Sequence, residues 1–502
     1  MDYDWEEDFH NRVSGYSILL IRADADPSRS SKSFIIRRLG EARSCDGSSS
    51  PGSGWYLDCN LTAGNRASLG RPTNDGNANE KTRQRAPSTV KPTILVATTS
   101  PPRWFAPGRL VMALANAGFT VEAICVPGHT LSKTTAVGKT YRYSGLAPGT
   151  SYASAIAASK PNLIIPADDI AAQTLHQLYW NERRRGEAGE PICALIERSL
   201  GAPESYPIVF ARTAFMDLAK EEGIRVPKTA VIANIGDLKK WAIEAGFPAV
   251  LKADCTSGGE GVRIVETLEE SERVVRKLQA PPLLLRAVKR ALIDKDSSML
   301  RPSFSRARSV VNAQEFVPGH EATSLIACWE GTVLASLHFE VLKKREASGP
   351  ATVLRLIENE DMKSATEKMA RRLKLSGLHG FDFMLETETG KAYLIEINPR
   401  ATQVGHLALG PGRDLAAALY AVLTGRPIQD DAKVTENDTI ALFPYEWMRN
   451  PKSAYLRSAY HDVPLEEPEL VYACLRTRQK RKAWYSEQNA VQDLSRDGIR
   501  RQ

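Results

Sequence analysis

At 502 residues and 42% hydrophobic content, the chain is long enough for two or three domains with ordinary cores. A net charge of +7 on that length is too weak to imply nucleic-acid or membrane affinity. The seven scattered cysteines, with no Cys-x-x-Cys pair, exclude a disulfide framework or zinc site and point to a reduced, cytoplasmic protein, and the longest N-terminal apolar run, Tyr16 to Ile21, is too short for a signal-peptide core or a membrane span.

Residues 1–90 are rich in Ser, Gly, Asn, Asp and Arg and have few periodic apolar positions. Such a segment cannot bury enough apolar surface to offset its ordering entropy, so it is expected to be a disordered tail, or upstream sequence from a wrong start site. Order is predicted from KPTILVATTS onward: a buried strand from Thr93 to Thr98, a helix through RLVMALANAG, and a strand TVEAICV. A further strand near 162–168 and a helix from Asp169 to Trp180 follow. This alternation predicts a parallel, doubly wound, Rossmann-like domain over 91–203. Asp168 and Asp169 stand at a strand's carboxyl end, where ligands approach such sheets. The domain also reads as a docking unit without chemistry of its own.

From about residue 204 the pattern changes. TAFMDLAKEEGIRVPKTAVI predicts a helix stopped by Gly223, a turn and a strand; FPAVLKADCTSGGEGVRIV predicts strand, glycine-rich loop, strand. Lys252 precedes a loop containing Ser257, Gly258, Gly259 and Gly261, where the absence of Cβ atoms lets backbone N–H groups reach phosphate oxygens while the lysine neutralises their charge. The order is not that of a P-loop, and a strand follows where a dinucleotide fingerprint needs a helix. A plain glycine-rich hairpin turn fits the same residues. A basic insertion between about 281 and 308 is read as a helix and a mobile loop. VVNAQEFVPG, EATSLIACWEG and TVLASLHFEVLKK predict three antiparallel strands. QEFVPGHE can offer main-chain groups to a purine and Glu321 to ribose hydroxyls, or it is simply a strand and turn. Arg355, in GPATVLRLIEN, is a candidate for a phosphate or carboxylate contact, or a solvated strand charge.

After a helix over 361–374, GFDFMLETETGKAYLIEINPR carries the strongest signal. Two strands flank Thr-Glu-Thr-Gly. Period-2 alternation puts Asp382, Met384 and Glu386 on one face of the first strand. On the second, Leu394, Glu396 and Asn398 share a face, opposite Tyr393, Ile395 and Ile397. A three-residue turn at 388–390, with Gly390 left-handed, places Asp382 opposite Glu396. Carboxylates so paired repel, and a divalent cation relieves the repulsion; Asp382, Glu396 and Asn398 together suit Mg²⁺ holding phosphates. The alternative is a solvent-facing hairpin whose acids never meet. Beyond it lie Gln403, His406 and Arg413, which could line a substrate pocket or serve as scaffold, a helix DLAAALYAVLTG, and a C-terminal extension, 429–502, with the basic stretch RTRQKRKAWY.

Taken in order, the lysine strand, the glycine loop, Gln-Glu-Phe-Val-Pro-Gly-x-Glu, Phe-Asp-Phe and Glu-Ile-Asn-Pro-Arg resemble the ATP-grasp superfamily, in particular ligases similar to D-alanine–D-alanine ligase and the biotin carboxylase and carbamoyl-phosphate synthase group. The resemblance implies an α/β and α+β multidomain protein: a Rossmann-like domain over 91–203, then an ATP-grasp fold over 204–428 whose two α+β subdomains clasp ATP. It implies that Lys252 and the loop residues Ser257, Gly258, Gly259 and Gly261 contact ATP phosphates. Glu315, Phe316 and Val317 would meet adenine and Glu321 ribose. Asp382, Glu396 and Asn398 would hold Mg²⁺ or Mn²⁺, and Arg400 would stabilise the transferred phosphoryl group. Arg212 stands where many members carry a lysine, and Arg355 is a further catalytic candidate. The implied reaction joins a small-molecule carboxylate to an amine, with no membrane or nucleic-acid partner; relatives are often homodimers. An ATP-grasp carboxylase, a phosphoryl-transfer enzyme and a non-catalytic ATP-binding module are the alternatives.

Overall fold

The computed structural model describes residues 19–22, 34–37, 91–100, 104–254, 261–280, 309–346, 349–426 and 433–474. The chain divides into two units, 1–90 and 91–502. In the first, strands β1 (Leu19–Arg22) and β2 (Phe34–Arg37) pair antiparallel, with Leu19 opposite Arg37. The remainder of the expected disordered tail lies outside the described residues.

The second unit opens with β3 (Thr93–Ala97), α1 (Ala106–Asn116), β4 (Thr120–Cys125), β5 (Lys139–Arg142), α2 (Pro148–Ser159), β6 (Leu163–Pro166), α3 (Asp169–Arg183) and α4 (Glu190–Leu200). Its strands form a parallel sheet in the order β5-β4-β3-β6, as the alternating pattern predicts. The β3 run TILVA is apolar on both faces because both are covered. Ile94 and Val96 enter one core, and Leu95 and Ala97 another beneath α2, α3 and α4. Pro107 sits in the first turn of α1, where its missing N–H costs nothing, and the helix begins before RLVMALANAG.

Next come α5 (Arg212–Glu221), β7 (Thr229–Val231), α6 (Ile235–Glu244), β8 (Ala249–Ala253), β9 (Val262–Val265), α7 (Leu268–Gln279) and β10 (Val311–Glu315). Strands β7-β10-β8-β9 make a small antiparallel sheet. Alternation along β8 turns Ala249 and Leu251 into a core with Leu238, Trp241 and Val275 of the two helices, leaving Val250 and Lys252 on the open face. Helix α6 starts with a reciprocal capping box between Asn234 and Asp237, worth about 1 kcal/mol.

The third part comprises β11 (Gly319–Trp329), β12 (Thr332–Lys344), β13 (Ala351–Leu356), α8 (Glu360–Leu373), β14 (Gly377–Glu386), β15 (Ala392–Asn398), α9 (Leu415–Thr424), β16 (Thr439–Ala441), α10 (Tyr445–Arg449), α11 (Tyr455–Ser458) and β17 (Tyr460–His461). Its seven-stranded sheet runs β15-β14-β11-β12-β13-β16-β17. One face packs on α5 and α8 through Phe215, Met369, Phe381 and Leu394. The other joins Leu325, Leu337 and Leu419 to Ile94 and Leu110, so this sheet and the parallel domain share a core. The C-terminal segment is part of that body: β16 and β17 extend the sheet past residue 428, and Glu467 accepts from Thr134 Oγ1 at 2.8 Å and Thr135 N at 2.9 Å. The basic 281–308 insertion and RTRQKRKAWY lie outside the described residues. Among the described residues no helix is long and apolar enough to cross a membrane.

Candidate active site

Asp382 does stand opposite Glu396, but by a route different from the expected one. Glu386 N bonds Lys391 O and Gly390 N bonds Glu386 O, so the turn spans four residues, 387–390, with Gly390 at φ +67°. That lengthening shifts the register by one residue. A bulge between Asp382 and Phe383, leaving Ile395 unpaired on β15, shifts it back. The bulge also corrects the expected faces: Leu394 enters the core with Ile397, whereas Ile395 and Glu396 line a cleft.

The cleft holds about 870 Å³ and opens between the two antiparallel sheets. Val250, Lys252, Gln314 and Glu315 of the small sheet line one side, and Glu321, Thr323, Asp382, Met384, Glu396 and Asn398 of the large sheet the other. Phe316 and Val317, in the link from β10 to β11, also line it, as do Arg212 and Arg400. At the far end are Ser100, Trp104, Asp168, Asp169 and Gln173 from the carboxyl ends of β3 and β6, with Arg345, Thr402 and Gln403.

Cations and acids are interleaved here. Asp382 accepts from Thr323 Oγ1 and Asn398 Nδ2, both at 2.9 Å. Arg400 donates from Nε to Asp169 Oδ1 and from a terminal nitrogen to Asn398 Oδ1, each at 2.9 Å. Arg212 approaches Glu396 Oε2 at 2.7 Å and Asp254 Oδ1 at 3.4 Å. Burial, with Glu396 facing it, pushes the Asp382 carboxyl up to about 6. Burial would also raise Glu396, but Arg212 and Lys252 hold it below its usual value. Lys252, 5% exposed, is lowered by burial to about 8 against the pull of Glu396.

Among the described residues no three His, Cys, Asp or Glu groups converge into a metal cage. Two facing carboxylates nevertheless fit a Mg²⁺ that takes its remaining ligands from phosphates and water, and the Asn398 amide, whose nitrogen here faces Asp382 and whose oxygen accepts from Arg400, would join them by turning over. The pairing of Asp382 with Glu396 across the two strands is the mark of that fit, since a cation would relieve the repulsion between the two carboxylates.

Most of the sequence-selected residues converge on the cleft: Lys252, Glu315, Phe316, Val317, Glu321, Asp382, Glu396, Asn398, Arg212 and Arg400. Glu321 is paired with Lys344 at 2.6 Å. Gly261 borders the loop, its carbonyl accepting from Ala253 N, and Ser257, Gly258 and Gly259 lie outside the described residues. Arg355 is not brought to the site. It alternates with Leu354, which lines the cleft, and pairs across strands with Glu340 on a half-exposed surface. Gln403 lines the cleft and donates to Ala351 O at 2.9 Å, whereas His406 is tied to Asp462 at 2.7 Å and Arg413 to Glu358. Asp168 is a strut: it accepts from Thr98 Oγ1, from the N–H and hydroxyl of both Thr99 and Ser100, and from Ala171 N. Sequence reading missed Thr323 and Asp254. Asp254 carried a signal, two residues beyond Lys252 and so on the same strand face; Thr323 carried none, because only the β11–β14 pairing brings it to Asp382.

Residues 214–404 match the family described as an ATP-grasp domain. Among solved structures, the chain is similar to the biotin carboxylase domain of Hydrogenobacter thermophilus 2-oxoglutarate carboxylase (16% identity, 67% of this chain and 70% of that one, TM-score 0.47). It is also similar to Staphylococcus aureus N5-carboxyaminoimidazole synthetase (12%, 68% and 80%, TM-score 0.47) and to Campylobacter jejuni biotin carboxylase (15%, 69% and 74%, TM-score 0.47). The matched stretch, 214–404, carries Lys252, Asp382, Glu396, Asn398 and Arg400, and this part of the chain is an ATP-grasp domain.

Proposed function

We propose that the protein is an ATP- and Mg²⁺-dependent ligase that activates a carboxylate as an acyl phosphate and joins it to an amine. The observation that carries this reading is the facing of Lys252 on one sheet and the Asp382–Glu396 pair on the other across a single cleft, with Arg400 beside them. A cation opposite a metal-competent acid pair is what a triphosphate and its metal require. Glu315, Phe316 and Val317 would take the base, and Glu321 the ribose. Asp382, Glu396 and Asn398 would hold the Mg²⁺, which, when bound, supplies neutralisation of phosphate charge.

In the first step a carboxylate oxygen attacks the γ-phosphorus, the bond to the β-phosphate oxygen breaks, and ADP leaves. In the second the amine nitrogen attacks the acyl carbon, phosphate departs with the bonding pair, and the amine gives up a proton to the departing phosphate. The chain supplies no nucleophile. Lys252 and Arg212 hold the phosphates, and Arg400, steadied by Asp169, faces the transferred group; fixed charges in a partly water-excluded site supply the rate. The far end has room and chemistry for the second substrate. Among the described residues the Gln403 Oε1 and Thr402 Oγ1 atoms are buried without hydrogen-bond partners, and the Arg345 guanidinium lies 3.4 Å from the exposed Glu346. These groups suit a ligand bearing both an N–H donor and an anion.

The test is ATP-dependent phosphate release with Mg²⁺ across pooled carboxylates and amines, comparing wild type with Glu396→Gln. Release that needs both a carboxylate and an amine, and drops about 10³-fold in the variant, is the expected result. Release driven by bicarbonate alone, or unchanged in Glu396→Gln, would overturn it.

A further inference from the structure

Arg212 is the first residue of α5, a helix packed on β15 of the large sheet. Its side chain, 11% exposed, does not answer only to that sheet. It stands between Glu396 of the large sheet and Asp254, which directly follows β8 of the small one. Asp254 in turn is held: it accepts from Asn312 Nδ2 at 2.8 Å, and Asn312 Oδ1 accepts from Thr213 Oγ1 at 2.7 Å. Thr213 follows Arg212 in sequence. The set therefore closes on itself, from Arg212 to Asp254, to Asn312 of β10, to Thr213, and back to α5.

The Arg212 contacts are ionic, and they leave hydrogen-bonding capacity unspent. The Nε and one terminal nitrogen are buried, and neither has an aligned acceptor. A guanidinium shared between two acids, with its close contacts to them poorly aligned, can turn toward oxygens that enter beside it. Lys252 flanks the same space and pairs with Asn312 across the β8–β10 ladder, so phosphate oxygens entering beside Lys252 come within the reach of Arg212. A lysine could not do this: a single point charge cannot face two acids and still present a fork.

We propose that Asp254, oriented by Asn312 and Thr213, is a positioning residue that holds Arg212 midway between the two sheets for the nucleotide's phosphates. It acts through Arg212 and touches no reacting atom. The assignment rests on the proposed nucleotide site. Without the Asp254 charge, Arg212 collapses onto Glu396, and the phosphates lose one of their two cations.

Titration calorimetry with ADP and with adenosine, on the full chain in the presence of Mg²⁺, tests this. Asp254→Asn keeps the shape and the Asn312 contact, and is expected to weaken ADP about tenfold while adenosine changes less than about twofold. In an Arg212→Gln background the same substitution should add nothing, the non-additivity expected of residues acting as a unit. Arg212→Lys should behave like Arg212→Gln. Thr213→Val, at the far end of the chain of contacts, should cost ADP about threefold, and only when Arg212 is present. Equal losses for ADP and adenosine, additive losses in the double variant, or full rescue by lysine would overturn the assignment. Failure of wild-type protein to bind either ligand would overturn the nucleotide reading itself, a result distinct from all of these.

Discussion

The two antiparallel sheets that face each other across the cleft are built on different terms. The large sheet is covered on both faces and shares a core with the parallel domain; it carries the acids Asp382 and Glu396. The small sheet has helices on one face only, a core of its own around Trp241, and carries Lys252. Metal ligands need a rigid frame, because the coordination of a small hard cation tolerates little displacement. A phosphate-neutralising lysine tolerates more. On the proposed assignment of metal to the acids and phosphate to the lysine, the more strongly braced half holds the groups with the stricter geometry.

The sharpest way to break this contrast is to remove the small sheet's own support. Trp241→Ala should cost about 3–5 kcal/mol of the stability of that sheet, as for a buried aromatic in a core with few others to share the load. Hydrogen exchange should then accelerate in β8 and β10 while β11 and β14 stay protected, and ADP affinity should fall. Uniform acceleration through both sheets would show that they open as one.

Asp168 tests the parallel domain, which shares the large sheet's core. Removing six donors' common acceptor and the α3 cap by Asp168→Ala should destabilise the chain by about 3 kcal/mol. The urea midpoint should drop with ADP affinity little changed, because every acceptor site on this carboxylate is already taken up by the protein. Unchanged stability with lost substrate turnover would make Asp168 a ligand instead of a strut. Next in size, Lys252→Met should weaken ADP by about 2–3 kcal/mol with or without Mg²⁺. Glu396→Gln should remove only the Mg²⁺-dependent part. The two variants thereby assign charge neutralisation to one sheet and metal binding to the other.

How much of this was legible in the sequence depends on the range of each signal. Period-2 alternation put Asp382 on one face with Met384, since that is a property of a single strand. The Asp382–Glu396 pairing came out as expected only because a longer turn and a bulge at Ile395 cancel; neither leaves a clear mark in TETGKAYLIE. Alternation also exposes why Arg355 fails as a catalytic candidate: its neighbour Leu354 has the cleft face, so the arginine is turned to Glu340. Helix α6 was overlooked although Asn234 and Asp237 spell a capping box. Strands β16 and β17, three and two residues long, are too short to show any period. Thr323 and the Arg212–Asp254 contact depend on which strands become neighbours, and that is settled by the whole fold.

The smallest effect separates the sheets by pH. The large sheet buries His338, bonded to Ser324 Oγ at 2.7 Å, and His379, bonded to Ser376 O at 2.8 Å; the four strands of the small sheet contain no histidine. Burial lowers both imidazoles to about 4, below the 6.5 of an exposed histidine. Between those values the unfolded chain binds protons that the folded chain refuses, so the stabilising contribution is complete above pH 6.5 and is lost as pH falls toward 4. At pH 5.5 each histidine should cost about 1 kcal/mol relative to pH 7.5. His338→Asn, which can keep the bond to Ser324, should remove its share of that slope in urea titrations at the two pH values. Exchange in β8 and β10, corrected for intrinsic rates, should not follow the histidines. If it does, acid reaches the small sheet through the large one, and the two are less independent than their separate cores imply.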